Sequence, residues 1–263
     1  MKKLAEGKTK SIWETNDPTL VRIVSKDDIT AGDGLKRDLI PDKAATGTTT
    51  TANVFRLLAT NNVPTHFISQ DSETSFIAKK AQMIPLECVA RRLASGSFLK
   101  RHPEVQEGER FATPPVEFYF KDDSRHDPII EYGSQTGKAL LYDAKHPTDS
   151  RQPIDEIALK ELSVSVKDLS IMQEQTKRVF EVIEKAWGKQ NVTLVDLKIE
   201  FGRDSMGNII VADVVDNDAW RIWPGGDKSK MLDKQRYRNG ESLGSIGEDY
   251  KRVAKMTEKF VVN

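Results

Sequence analysis

Alternating apolar and polar residues predict strands along much of the chain. Residues 10–14 and 20–25 are two β-prone runs separated by a segment with Asn, Asp and Pro, and they predict an N-terminal hairpin. Residues 75–83 and 86–93 predict two further strands, one before and one after Pro85. Because proline cannot donate a backbone hydrogen bond to a sheet, this residue indicates a crossover between two lobes.

Apolar residues at helical spacing predict three helices. They cover residues 46–58, 169–187 and 245–261, and the last two carry a continuous apolar stripe. The segment 110–152 is rich in Pro, Gly, Asp and Lys, and it predicts a mostly irregular surface connection with one strand at 116–121.

The most informative alternation covers residues 192–201, which a glycine-containing turn joins to residues 208–216. Its polar face carries three charged side chains: Asp196, Lys198 and Glu200. If the hairpin closes around Met206 and Gly207, Glu200 lies opposite Asp213. Opposed carboxylates repel each other unless a cation or a proton lies between them, and such a pair suits Mg²⁺. The alternative is the solvated face of an ordinary hairpin.

Three further segments indicate anion binding. Residues 91–101 combine arginines with a Ser-Gly-Ser turn, and both guanidinium forks and turn N–H groups bind phosphate. Arg221 lies between two tryptophans in an acidic segment, which favours a buried or ligand-facing guanidinium. Residues 7–10, Gly-Lys-Thr-Lys before a strand, suit a loop over a nucleotide triphosphate. Solvated surface bases and an ordinary Gly-Lys turn are the alternatives.

The composition restricts the class of partner. Forty Lys and Arg balance forty Asp and Glu, so no net field favours a nucleic acid or an anionic membrane. Cys88 is the single cysteine and cannot form an internal disulfide, which fits a reducing compartment. The four histidines lack metal-binding spacing, and no apolar run reaches the roughly 20 residues that span a bilayer. These features predict a cytoplasmic protein that binds small anions.

A set of short segments then occurs in one order along nearly the whole chain. They are Glu6–Lys10, Thr30–Asp33, Met83–Val89, Arg91–Arg101, Phe120–Asp123 and Leu194–Gly202. Together they resemble the SAICAR synthetase (phosphoribosylaminoimidazole-succinocarboxamide synthase) family of purine biosynthesis. Residues 216–224 are similar to the animal form, in which this domain is fused to a C-terminal carboxylase.

The resemblance implies an α+β fold of two lobes. A smaller N-terminal lobe with an antiparallel sheet, residues 1–84, would bind ATP against a larger C-terminal α+β lobe, residues 85–263, in a manner similar to protein kinases. The implied reaction joins carboxyaminoimidazole ribonucleotide (CAIR) to L-aspartate, with ATP hydrolysis and Mg²⁺. Because an oxide ion is a poor leaving group, ATP would first convert the carboxylate into an acyl phosphate. A homo-oligomer and a fused or separate carboxylase domain stay open.

The resemblance also assigns roles to individual residues. The ATP-binding set is Gly7, Lys8, Lys10, Lys80, Ala81, Gln82, Met83 and Lys121. The substrate-binding set is Arg91, Ser97 and Arg221 for the ribonucleotide phosphate, and Asp33 in a lid loop near the aspartate site. The metal ligands are Glu200 and Asp213. The catalytic set is Lys10, Asp196, Lys198, Glu200 and Asp213, with Asp196 as the candidate acceptor of the amine proton.

Two other functions fit the same residues. A small-molecule kinase would share the Gly-Lys loop and the carboxylate pair, but it would release a phosphorylated product without consuming an amino acid. A ribonucleotide-sensing module would keep the arginines and show no turnover. ADP release with and without L-aspartate separates both from the ligase.

Overall fold

The computed structural model describes residues 2–32, 34–133 and 136–260. Its N-terminal part contains β1 (Lys3–Glu6), β2 (Lys10–Glu14), β3 (Leu20–Ser25), β4 (Asp28–Ala31), β5 (Lys36–Leu39), α1 (Lys43–Thr60), β6 (Phe67–Ser72) and β7 (Ser75–Lys79). An antiparallel sheet has the order β1-β2-β3-β7-β6, and β4 pairs with β5 separately. The predicted N-terminal hairpin is confirmed as β2 and β3.

The rest of the chain forms a larger sheet with helices packed on it. Its elements are β8 (Gln82–Arg91), α2 (Ser97–Arg101), β9 (Val116–Phe120), β10 (Ile129–Tyr132), β11 (Lys138–Tyr142), β12 (Asp155–Ala158), α3 (Val166–Gly188), β13 (Val192–Arg203), β14 (Ile209–Ala212), β15 (Trp220–Pro224), α4 (Gln235–Arg238) and α5 (Leu243–Thr257). The strand order is β12-β11-β10-β9-β8-β13-β14, and β15 also pairs with β13. The long strand β13 therefore has neighbours on both sides, and the α+β prediction is confirmed.

The main core lies between α3 and the large sheet. The apolar stripe of α3 packs on Leu197, Ile199 and Phe201 of β13, which confirms the predicted apolar face of that strand. A capping box formed by Ser165 and Asp168 fixes the start of α3, because each side chain satisfies a free N–H of the first turn. The opposite face of β13 is left for the charged residues.

Helix α1 begins at Lys43, before the predicted start at residue 46. Threonine is a weak helix former, but the hydroxyls in α1 find partners in the interior. The Thr48 hydroxyl lies 2.9 Å from that of Ser25, and the Thr51 hydroxyl donates to the Val215 carbonyl at 3.4 Å. The threonine-rich segment therefore joins α1 to the small sheet and to the loop that follows β14.

Strand β8 runs without interruption through Pro85, so the predicted break at this proline is wrong. The pairing register between β8 and β13 shifts opposite the proline, and a bulge needs no hydrogen bond from its nitrogen. The chain instead leaves the small sheet at Lys80 and Ala81. The division into residues 1–84 and 85–263 stays a prediction.

Strands β9, β10 and β11 extend the large sheet, so the prediction of a mostly irregular connection over 110–152 is wrong for much of that segment. Each strand is only four or five residues long. Ile130, Ala139 and Leu141 are buried in the core, but the polar residues around them dominate the local composition. Strands this short give too few alternations to stand out.

Helix α5 confirms most of the predicted C-terminal helix and ends at Thr257, where a 3₁₀ turn, Glu258–Phe260, follows. The last residue of the predicted helix, Val261, lies outside the described residues. Within the described ranges, no helix is both long enough and apolar enough to cross a bilayer.

Gly202 is predicted to be essential for the close approach of β13 to the segment that joins the two sheets. A Cβ atom there would lie 2.9 Å from the Cβ of Ala81 and 3.2 Å from the carbonyl oxygen of Gln82. We expect Gly202→Ala to lower the free energy of unfolding by about 1–3 kcal/mol through this overpacking. The measurement is denaturant-induced unfolding.

Gly188→Ala is the matched control, because, apart from its chain neighbours and the nearby backbone of α3, no heavy atom lies within 4 Å of the Cβ it would add. We expect this variant to be as stable as the wild type or more stable by up to about 1 kcal/mol. If both variants unfold with the same free energy, the segment that joins the two sheets can move away from the added Cβ atom without destabilising the fold.

Candidate active site

A cleft of about 850 Å³ is lined by residues of both sheets. It contains most of the residues assigned to the site from the sequence. They are Gly7, Lys8, Lys10, Arg91, Ser97, Lys121, Asp196, Lys198, Glu200, Asp213 and Arg221. The fold therefore collects one site from segments more than two hundred residues apart in the chain.

A second, mainly apolar cavity of about 440 Å³ opens beside the cleft. Its walls include Leu4, Ile12, Val21 and Ile23 of the small sheet, Lys80 and Ala81 of the connection, and Met83 of β8. The two cavities share Lys10, Lys121, Glu200 and Asp213. Gln82 lines neither cavity, and Asp33 lies outside the described residues.

The carboxylates of Glu200 and Asp213 approach each other where the two cavities meet. The prediction that Glu200 pairs with Asp213 is wrong by one position, because Glu200 pairs with Ala212. The hairpin closes on the Arg203–Ile209 pair, so its turn is centred on Met206 alone. Asp213 follows β14 in a left-handed conformation, with φ of 68°. The residues still meet, although not as a cross-strand pair.

Lysines neutralise both carboxylates. Lys121 Nζ lies 2.6 Å from Glu200 Oε2, and Lys10 of β2 forms a salt bridge with Asp213. Burial and the charge of Asp213 raise the pKa of Glu200. Burial would also raise the pKa of Asp213, but the charge of Lys10 outweighs it and holds that pKa well below its usual range. The two carboxyl groups therefore differ in pKa, and their negative charges are stabilised by nearby cations.

His66 contacts the backbone of Asp213 from the protein interior. It is fully buried, and burial lowers the pKa of His66 to about 4. The neutral ring lies with Nε2 2.9 Å from the Asp213 carbonyl oxygen, so Nε2–H donates to it. This bond fixes the unusual backbone conformation of Asp213. The buried, neutral ring therefore has a structural role at this position.

Lys198 lies between two glutamates. Its Nζ is 2.6 Å from Glu87 Oε1 and 3.7 Å from Glu200 Oε1. Burial would lower the pKa of Lys198, but the two carboxylates outweigh it and raise the pKa above its ordinary value. Lys198 is therefore a permanent cation of the cleft.

Asp196 is held by arginines on both neighbouring strands. It lies opposite Arg91 of β8 and Arg221 of β15 in the sheet. Arg91 Nη1 donates to Asp196 Oδ2 at 2.8 Å, the Ser95 hydroxyl donates at 3.0 Å, and Arg221 also bonds this oxygen. Burial would raise the pKa of Asp196, but the charges of Arg221 and Arg91 hold it below its usual value. Asp196 is thus a weak proton acceptor and a strong anchor for two guanidinium groups.

Glu117 of β9 connects Arg91 to helix α2. Its Oε2 atom accepts from Arg91 Nε and from the Tyr119 hydroxyl, both at 3.0 Å, and it forms a buried salt bridge with Arg101. Arg101 is in α2, whose first residue is Ser97. Glu117 therefore fixes Arg91 and Ser97 relative to each other.

Several cleft residues were missed from the sequence as site residues. They are Lys43, Asp216, Asp218, Lys234 and Arg238. Asp216 and Asp218 belong to the acidic segment before Arg221, which was the one local signal. The three bases come from α1 and from the region of α4, where no sequence pattern distinguishes them from surface residues.

The donor set for a metal consists of two carboxylates. Among the described residues, no group of three or more His, Cys, Asp or Glu could hold a metal ion. Glu200 and Asp213 nevertheless match the one or two carboxylates that Mg²⁺ takes when phosphate and water complete its shell. The residues present therefore fit that ion only together with a phosphorylated ligand.

Comparison with known proteins gives consistent matches. A profile of the family described as SAICAR synthetase matches residues 3–257. The phosphoribosylaminoimidazole-succinocarboxamide synthase of Roseiflexus castenholzii is 45% identical over 265 residues, which cover 98% of this chain and 97% of that protein. Multifunctional protein ADE2 of Gallus gallus is 42% identical over 264 residues, which cover 98% of this chain and 58% of that protein. A solved structure described as SAICAR synthetase (Type-2) in complex with ADP has a TM-score of 0.80 at 31% identity and covers 96% of each chain.

The two-sheet fold and its charged cleft define the class, an enzyme that acts on small phosphorylated molecules. The chain belongs to the SAICAR synthetase family. It is a ligase, and its activity is SAICAR synthesis in de novo purine biosynthesis. The chain is about equally similar to a relative of its own length and to a longer multifunctional relative from an animal. These identities therefore do not single out the animal form. The kinase and the sensing module are set aside by these matches.

Arg91 is predicted to hold the fold together as well as to bind ligand. Arg91→Ala would leave the carboxylates of Glu117 and Asp196 without this partner inside the protein. We expect the free energy of unfolding at about pH 7 to fall by about 3–5 kcal/mol, the cost of breaking a buried ion pair. Equilibrium unfolding in denaturant measures it.

The loss should shrink on acidification. In the wild type the arginines hold the pKa of Glu117 below its ordinary value of 4.5 against the effect of burial, so this stabilisation is present above about pH 4.5 and is lost as the pH falls. The deficit of Arg91→Ala should therefore be smaller at about pH 4 than at about pH 7. Arg110→Ala is the control, because its exposed guanidinium lies 3.8 Å from Glu184 and is worth little. A deficit independent of pH would contradict the ion-pair explanation.

Proposed function

We propose that the chain joins L-aspartate to CAIR with hydrolysis of ATP to ADP and phosphate, through an acyl phosphate. The observation that carries this proposal is the position of Glu200 and Asp213. They lie between an apolar slot on one side and the guanidinium groups of Arg91 and Arg221 on the other. A nucleotide in the slot and a phosphorylated substrate at the arginines would bring their reacting groups together at the carboxylate pair.

The nucleotide would enter through the apolar slot. Its adenine would lie against Ala81 and Met83, and its phosphates would pass along Gly7, Lys8 and Lys10 toward the cleft. The ADP complex of a related structure supports a nucleotide site in this fold. Lys121, which contacts Glu200, would meet the terminal phosphoryl group.

Mg²⁺ would be held by Glu200 and Asp213. The raised pKa of Glu200 reflects burial and repulsion by Asp213, and a divalent cation would offset both. When bound, the ion supplies charge neutralisation for the phosphoryl oxygens. Lys10 and Lys121 already supply part of that positive charge from the protein.

The ribonucleotide phosphate would bind Arg91, Ser97 and Arg221. Arg238 supports this assignment. Burial and repulsion by Arg221 lower the pKa of Arg238, and an anion bound nearby would offset both effects. In this proposal Asp196 orients the two arginines. Its lowered pKa argues against the alternative role as acceptor of the amine proton.

The reaction would take two displacement steps. A carboxylate oxygen of the ribonucleotide attacks the γ-phosphorus of ATP, and ADP leaves with the electron pair of the broken P–O bond. The amine of aspartate then attacks the acyl carbon, phosphate leaves with that carboxylate oxygen and the electron pair of the C–O bond, and the proton that the amine loses goes to the departing phosphate. Lys10, Lys121 and Lys198 stabilise the negative charge on the transferring group.

The remaining expectations enter the proposal as follows. A division near residue 84 would let the two sheets close around ATP, and Asp33 would belong to a lid for the amino acid. The reduced, buried Cys88 supports a cytoplasmic location. A carboxylase activity would have to come from a fused or separate domain.

ADP release tests the ligase directly. With ATP, Mg²⁺ and CAIR, we expect ADP to appear only when L-aspartate is added. Glu200→Gln and Asp213→Asn should each lower this rate at least about a hundredfold, because each would remove a ligand of the Mg²⁺ ion that neutralises the phosphoryl oxygens. Both variants should stay folded, because Gln and Asn keep the shapes of the replaced side chains, and Glu200→Gln also relieves the repulsion that raises the pKa of Glu200.

Asp149→Asn provides the control for the same chemical change on an exposed residue outside the cleft. It should keep the wild-type rate. Stoichiometric ADP release without aspartate would contradict the ligase, and a normal rate with unchanged Mg²⁺ dependence in either cleft variant would contradict the metal assignment.

Isotope transfer tests the acyl phosphate. CAIR labelled with heavy oxygen in its carboxylate should give phosphate that carries one labelled oxygen per turnover, because the C–O bond breaks when phosphate leaves. Mass spectrometry of the released phosphate measures it. Complete retention of the label in the organic product would rule out this route.

A further inference from the structure

His66 lies between the two sheets, directly before β6. Only 3% of its surface is exposed, and it belongs to the wall of the apolar slot that also contains Asp213. No reaction step described above uses this side chain. Its contacts nevertheless reach both sheets and the carboxylate pair.

The backbone around His66 connects the two sheets. The His66 N–H group donates to the carbonyl oxygen of Val211 in β14 at 2.9 Å, and the His66 carbonyl accepts from the Lys79 N–H group of β7 at 2.7 Å. Val211 donates in return to the Pro64 carbonyl at 3.0 Å, and Thr65 forms a parallel bridge with Val211. A movement of one sheet against the other would therefore strain hydrogen bonds on both sides of His66.

The imidazole ring extends this connection to Asp213. Its Nε2 atom lies 2.9 Å from the Asp213 carbonyl oxygen, and because a carbonyl oxygen only accepts, Nε2–H is the donor. Asp213 lies two residues beyond Val211 and has a φ of 68°, a left-handed conformation that is unfavourable for a residue with a side chain. Such a conformation persists only where surrounding contacts hold it, and the ring supplies one of these contacts.

Aromatic neighbours fix the orientation of the ring. The centroids of Phe55 in α1 and Phe76 in β7 lie 5.3 Å and 5.8 Å from the centroid of His66, and both rings make edge contacts with it. Both phenylalanines are fully buried, so the imidazole cannot turn away from Asp213 without disturbing a packed interior. The direction of Nε2–H is therefore set by the fold.

We propose that His66 is a positioning residue for the metal site, which holds the Asp213 backbone so that its carboxylate lies beside Glu200 and ties this placement to the arrangement of the two sheets. The inference rests on the proposed function, in which Glu200 and Asp213 hold Mg²⁺. This ion demands nearly ideal octahedral geometry, so two carboxylates from different segments must be kept at fixed positions. Glu200 is held within β13, whereas Asp213 follows the end of β14 and needs a separate support.

Metal binding by His66→Phe tests the hydrogen bond, because an aromatic ring keeps the packing against Phe55 and Phe76 but lacks the donor. Mn²⁺ is the probe, and electron paramagnetic resonance of the free ion gives its Kd in the presence of ADP. We expect this Kd to rise about tenfold in His66→Phe, through the loss of one buried hydrogen bond. His66→Gln places an amide N–H near the position of Nε2 and should restore most of the affinity.

The metal dependence of turnover should change in parallel. The Mg²⁺ concentration that gives half-maximal ADP release should rise by the same factor in His66→Phe, whereas the Kd of ADP without a divalent cation and the Kd of CAIR should not change. Ile183→Val is the control for a general loss of stability, because Ile183 is buried in α3 and lines neither cavity. This variant should keep the wild-type Kd for Mn²⁺.

The outcomes separate the two levels of the argument. A wild-type protein that binds no Mn²⁺ with ADP, or whose Kd for Mn²⁺ is unchanged in Glu200→Gln and Asp213→Asn, would overturn the proposed metal site. Binding that depends on both carboxylates but is unchanged in His66→Phe, or is weakened equally in His66→Phe and His66→Gln, would overturn only the positioning role. Thermal unfolding shows which variants are folded. If His66→Phe does not fold, His66→Leu, which also lacks the donor, replaces it with the same expected outcomes.

Discussion

The structure depends on the neutralisation of charges buried along β13. Asp196, Lys198 and Glu200 share the polar face of this strand, and β13 is covered by neighbours on both sides. Removing one partner of a buried ion pair costs several kcal/mol, so each of these charges needs a counter-charge at a fixed place. The register of the sheet delivers Arg91 and Arg221 to Asp196 from the two adjacent strands. The pairing of these strands and the assembly of the site therefore depend on the same contacts.

The two ends of the cleft meet this requirement in different ways. At the arginine end, Glu117 and Asp196 bind the guanidinium groups firmly, and both arginines line the cleft. At the other end, Glu200 and Asp213 are neutralised by lysines, which are compact point charges on flexible stems. These lysines can release a carboxylate and bind a phosphoryl group in its place at little structural cost. The first end suits recognition of a fixed anion, and the second suits a group that moves.

Local patterns in the sequence predicted the parts of the site that lie on one strand. The alternation in β13 identified its charged face, and the turn residues identified the hairpin. The pairing register was missed by one position, because the length of the turn decides whether Glu200 faces Ala212 or Asp213. The contact between Asp196 and Arg91 joins strands far apart in sequence, so no local pattern indicates it. Lys43 shows the same limit, because its environment comes from a loop near the other end of the chain.

The loop after β14 is where the two sheets are coupled electrostatically. Lys10 of the small sheet bonds Asp213, His66 bonds the Asp213 carbonyl, and Lys43 of α1 pairs with Asp218. Separation of the sheets would break these contacts and leave buried charges unpaired, which opposes opening. In the proposed reaction, a bound nucleotide would offer Lys10 a phosphate in exchange for Asp213, and a cation would offer Asp213 a replacement for Lys10. Ligand binding would then rearrange the partners in this loop while every charge keeps a counter-charge, so that a densely charged cleft would remain folded with and without ligand.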